Sequence, residues 1–193
     1  MTGDFSITPH VMARGSERAA GCCQRTGTEE TLRFYTEKEC EEWLSDRKRQ
    51  KPDRNSEINK ERFDYPSKPH EFFWAAHWIA SSLPHYAPAL LWITEWGIWE
   101  NTQTSHLYYK LRQSYGDQQL LWDAPGHLFL GYEMEDLASF LQVAMLNGWG
   151  GYLLTDLNYI NAFFSHDEFV EFFAEEECNL YPVRRELLSR DAR

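Results

Sequence analysis

From Gln113 to Val183 the chain has no lysine and no arginine, while twelve acids fall in the same stretch. That block carries −12 against a chain total of −11, so the rest of the molecule sums to about neutral. A surface built from it repels phosphate backbones, and nucleic-acid binding needs clustered cations. Cysteine is scarce: Cys22, Cys23, Cys40 and Cys178, with no Cys-x-x-Cys pair. Adjacent cysteines make poor disulfide partners, which points to a reduced, cytoplasmic setting and away from a disulfide scaffold. No run reaches the ~18 apolar residues that a membrane span requires, and the N-terminus lacks a hydrophobic signal core. Gly-x-Gly-x-x-Gly, a Walker loop and Gly-x-Ser-x-Gly are all missing, which removes phosphate cradles and a nucleophile elbow.

Aromatics are plentiful, with eight Trp, ten Tyr and twelve Phe. Such residues dominate cores and are favoured in interface centres. Residues 1–30 have no period and read as a disordered lead-in. Residues 31–174 read as one domain, and 175–193 as a tail that is first acidic and then basic. Thr36 and Glu39 form a capping box for a helix with Cys40, Trp43 and Leu44 inward. The basic run over 45–62 reads as a helix end and linker, or as a cationic segment touching the acidic block. Phe72, Ala76, Ile79, Ala80 and Leu83 mark one helix face, with Trp74 and Trp78 beside it. Ala89 to Trp96, His127 to Tyr132 and Tyr152 to Asp156 read as strands, separated by helices at about 104–115 and 135–147. Ile160 to Phe164 closes a hairpin, and Ser165-His166-Asp167-Glu168 reads as a second capping box that opens a short last helix. The sum is an α/β (or α+β) domain in the order β-α-α-β-α-β-α-β-β-α. Its mixed sheet has about five strands, with parallel pairs among the three strand–helix–strand units.

On that topology Glu95, Glu133 and Asp156 each follow a strand and share one edge, where open α/β sheets bind ligands. Three such carboxylates are a candidate site for Mg²⁺ or Mn²⁺. Trp92 and Trp96 fall on one face of their strand by alternation, with Glu95 on the other. With Trp99 they are candidates for an aromatic cage, and core packing of the strand is the preferred reading.

Trp92 to Trp99, Leu111 to Gly116 and Ser165 to Glu168 resemble segments of uncharacterised bacterial proteins. The resemblance covers a little under half the chain and implies a bacterial origin but no activity. The residues themselves point to a non-enzymatic acidic module that docks a basic protein, as an immunity-type inhibitor or accessory factor, without a cofactor. Asp167, Glu168, Glu171 and Glu175 on the last helix, with Trp149 nearby, form the expected contact face. A metal-dependent enzyme using Glu95, Glu133 and Asp156 is the alternative. A homodimer through Trp74 and Trp78 is a further possibility.

Overall fold

A computed structural model describes residues 33–52, 59–96, 104–156 and 159–191. All of them belong to one compact unit, Thr31–Arg193. The lead-in over residues 1–30 and Trp99 lie outside the described residues, as does the turn centred on Leu157 and Asn158.

The first strand, β1, is Arg33–Tyr35, and α1 follows at Glu37–Asp46. The Thr36 capping box is present. Glu39 N–H donates to the Thr36 hydroxyl, and the Glu39 carboxylate accepts from Thr36 N at 2.7 Å. Donation to that carboxylate from the Thr36 amide first, and from the Thr36 hydroxyl at 2.8 Å second, holds the Glu39 carboxyl below the usual carboxylate range. The chain continues through β2 (Asn59–Asp64), α2 (Glu71–Ser81), β3 (Ala89–Glu95), α3 (Ser105–Ser114) and β4 (Gly126–Phe129). Then come α4 (Met134–Leu146), β5 (Gly150–Thr155), β6 (Asn161–Ser165) and β7 (Phe169–Ala174). A short 3-10 helix at Glu177–Leu180 leads into α5, Tyr181–Asp191.

The class is therefore α+β, with one seven-stranded sheet in the order β1-β4-β3-β5-β6-β7-β2. Every strand pair described is antiparallel, so the expected mixed sheet of about five strands is corrected. The reason lies in the connections. The segment between β3 and β4 leaves and re-enters at one edge, as the bond from Ile93 N to Pro125 O shows at 3.1 Å. Its ten-residue helix spans only about 15 Å, and the long flanks let the chain turn back where a crossover would have carried it over the sheet. β4 and β5 do run in the same direction, but β3 lies between them and opposes both.

Two expected segments change type. The capping box at Ser165 is instead a hairpin turn: Glu168 N donates to Ser165 O and Glu168 sits at φ 64°, in the left-handed region. A three-residue loop ending in that conformation is a standard hairpin closure. Phe169–Ala174 is thus a strand and no helix, with Val170 and Phe172 buried on one face and Phe169 and Phe173 on the other. Its partner β2 comes out of the supposed basic linker, where Lys60 faces Phe173 and Arg62 faces Glu171. The expected tail from residue 175 also folds in, with Leu180 and Val183 fully buried.

The sheet has two covered faces. Leu91, Ile93, Phe129, Leu153, Phe164 and Phe172 meet α2 and α4 in the larger core. Leu90, Trp92, Leu128, Tyr152 and Phe163 meet Cys40, Trp43 and Leu44 of α1 on the other side. Trp74 and Trp78 stack at 5.7 Å, and Trp78 packs edge-on to Phe63 and Phe172. They are half-buried and pack against the larger core.

Candidate functional site

One edge of the sheet gathers the end of β3, the start of β5, the β6–β7 turn and the end of β2. A bulge between Ile93 and Glu95 breaks the alternation of β3 there. Bulges re-aim side chains, and this one sends Trp96 against Trp149 and Tyr108 on the larger core. Trp92 stays in the smaller core, so the two tryptophans lie on opposite faces and do not form a cage. Glu95 then lies alongside Gly150, whose missing side chain leaves it room: a Cβ there would overlap Glu95 Oε2.

Glu95 Oε2 is 2.7 Å from Nδ1 of His166, the first residue of the β6–β7 turn. His166 Nε2 is 3.4 Å from Asp167 Oδ1, so the imidazole bridges two carboxylates. Ser165, next to the turn, is buried, and its hydroxyl accepts from Asp167 N at 3.1 Å. The backbone of Glu168 is tied to the chain leaving β2, with Tyr65 N donating to Glu168 O at 2.7 Å.

Between this turn, the start of α2 and the end of α4 lies a cleft of about 360 Å³. Tyr65, Pro69, Phe72, Met145, Leu146, Asn147, Gly148, His166 and Glu168 line it. Tyr65 and Phe72 meet edge to face at 5.6 Å. The Tyr65 hydroxyl is buried and has no hydrogen-bond partner. Burial first, and the charge of Glu168 second, push its ionisation well above the ordinary range, so it stays a neutral O–H. Asp167 and Glu168 are exposed at the rim, and Glu168 has no ion-pair partner among the described residues. No serine, threonine or cysteine lines the cleft.

The acids singled out from the sequence separate. Glu95 belongs to this edge. Glu133 and Asp156 lie at the other, because β4 and β5 run opposite to β3. Glu133 is buried and its carboxylate accepts from Leu130 N at 2.7 Å, closing the turn into α4. Asp156 is paired with Arg47, and the neighbouring Thr155 carbonyl accepts from Arg49. No group of three His, Cys, Asp or Glu among the described residues is arranged to hold a metal ion. The shared edge assumed for Mg²⁺ or Mn²⁺ thus rested on parallel strands that are absent.

The expected contact face separates too. Trp149 is 1% exposed, with Tyr108 at 5.0 Å and Trp96 at 4.8 Å, so it cannot meet a partner. Asp167 and Glu168 stay together at the turn. Glu171 is half-buried and faces Lys60 at 3.4 Å. Glu175 follows β7 at the far edge, about 20 Å from the turn for a six-residue strand. Tyr65 and Phe72 belong to the site but were not legible as such, since a hundred residues separate Tyr65 from the turn it binds.

Comparison with protein-family models, with curated proteins and with solved structures gave no match.

Proposed function

We propose that the chain is an acidic module that docks a basic protein, in the manner of an immunity-type inhibitor or an accessory factor, and that the β6–β7 turn makes the contact. The observation that supports this is a pair of open acids beside a cleft; Asp123, Glu175 and Glu176 are exposed as well, but none of them lines that cleft. Asp156, Glu171, Asp117 and Glu177 each face an arginine or lysine of the same chain. Asp167 and Glu168 face none among the described residues and stand exposed at the rim of a concave site. Charges left open in this way steer a cationic partner and raise its association rate.

Affinity capture on the immobilised full-length chain tests the reading. Basic proteins are expected at low salt and should be lost as the salt rises. Reversing the turn, Asp167→Lys with Glu168→Lys, should abolish capture, while Glu175→Lys with Glu176→Lys at the other edge should leave most of it. Capture that resists salt, or that survives the turn reversal, sinks the proposal.

A further inference from the structure

We propose that the cleft beside the β6–β7 turn receives an arginine side chain of the docked partner. The inference rests on the docking reading and adds the group that is recognised. Its starting point is the Tyr65 hydroxyl, a buried polar group in the cleft wall with no hydrogen-bond partner. An unpaired buried hydroxyl is costly, and it gains a partner when a donor enters. The entering donor must suit the surroundings. Glu168 supplies a carboxylate close enough to act on Tyr65 electrostatically. The C-terminal end of α4, at Leu146 to Gly148, also lines the cleft, with the carbonyls of Val143, Ala144 and Met145 already accepting from Asn147 N, Trp149 N and Gly148 N. The opposite end of α2 does not offer a competing anion site, because Glu71 N and Phe72 N are already bonded to Lys68 O and Pro69 O. Lys68, the nearest cation in sequence, is paired with Glu71 at 3.5 Å.

Glu168 and the Tyr65 hydroxyl oxygen favour a cation, and His166, which also lines the cleft, already has a carboxylate near each ring nitrogen. The walls favour a flat cation. Tyr65 and Phe72 are aromatic, and a guanidinium stacks on such rings while its N–H groups reach a carboxylate and a hydroxyl together. An ammonium is a compact point charge without that reach. A cleft of about 360 Å³ is in the range of sites that take a small ligand group.

Isothermal titration of the full chain tests this. The probes are a short arginine-rich peptide and its counterparts with citrulline or lysine in place of arginine. Citrulline keeps the shape and removes the charge. The arginine peptide should bind, the lysine peptide more weakly, and the citrulline peptide at least tenfold more weakly. Tyr65→Phe removes one oxygen that bonds to nothing, so the thermal midpoint should hold or rise while arginine affinity falls about tenfold. Glu168→Gln should weaken it similarly.

If Tyr65→Phe binds like the parent while reversal at Asp167 and Glu168 abolishes binding, the cleft assignment fails and the docking reading stands. Equal affinity for the lysine peptide, or no saturable binding of the arginine peptide, also overturns the assignment. If the arginine and citrulline peptides bind alike and salt has no effect, both readings fall together.

Discussion

His127 is the residue whose setting has the clearest consequence in solution. It is fully buried, its Nδ1 is 2.9 Å from the Tyr108 hydroxyl, and Arg112 lies close enough to act on it. Burial first, and that guanidinium second, hold its pKa well below the ordinary value of 6.5. The folded chain keeps the ring neutral, while the unfolded chain takes up a proton near pH 6.5. The contribution is therefore intact above that pH and is lost as the pH falls toward the folded value. The slope is at most about 1.4 kcal/mol per pH unit. Urea unfolding at pH 7.5 and 5.5 should show this loss, and His127→Gln should flatten the dependence. A parent stability that does not change between those pH values would contradict the account. Nothing in the sequence distinguished His127 from the other histidines, because its neutrality comes from the ring of Phe34, Tyr108 and Phe140 that tertiary packing closes around it. Gly150 is a second residue whose role appears only in three dimensions. Gly150→Ala should push Glu95 off its present path and uncouple it from His166. The His166 imidazole resonances should then move without either partner having been changed, and resonances that stay in place would place the pair elsewhere.

At the scale of elements, α1 is held to the sheet by one close contact that can be tested with two substitutions. Cys40 is fully buried, and burial pushes its thiol up to about 12, so it should not react with a thiol reagent until the chain unfolds. Its sulfur lies against Gly126 of β4, where an added Cβ would overlap Sγ. Gly126→Ala alone should destabilise by about 1–3 kcal/mol through overpacking, and Cys40→Ala should recover part of that in the double variant. Strictly additive losses would show that the two positions do not meet. This helix was legible in the sequence because Thr36, Glu39 and the inward triad Cys40, Trp43 and Leu44 are local signals. β7 was not legible. Ser165 and Glu168 fit a helix cap as well as a hairpin, and Phe169 to Ala174 is apolar on both faces, so its period does not decide. Pairing with β6 on one side and with β2, a strand with one buried residue in six, on the other turns it into sheet.

Charge has to be read over the whole molecule. The sequence showed a one-sided block, but the fold brings cations from distant segments onto it: Arg47 to Asp156, Lys60 to Glu171, and Arg184 to both Glu61 and Glu177. The cis form of the contact between the basic run and the acidic block is therefore present through Arg47 and Lys60, and the exposed acids outside these pairs include Asp167 and Glu168 at the turn and Glu175 and Glu176 beyond β7. Folding and docking should then answer to salt in opposite ways. The pairs just named are partly solvated, and such pairs contribute little, about 0–1 kcal/mol each. Against them stands the self-repulsion of a net charge of −11, which salt screens. Raising sodium chloride from about 0.1 M, where charges act over about 10 Å, to about 1 M, where they act over about 3 Å, should raise the urea midpoint. The same change should release a basic partner from Asp167 and Glu168. A midpoint that falls with salt would mean that the internal pairs outweigh the repulsion. The acidic block would then serve mainly to hold its own chain together, with Asp167 and Glu168 left outside those pairs.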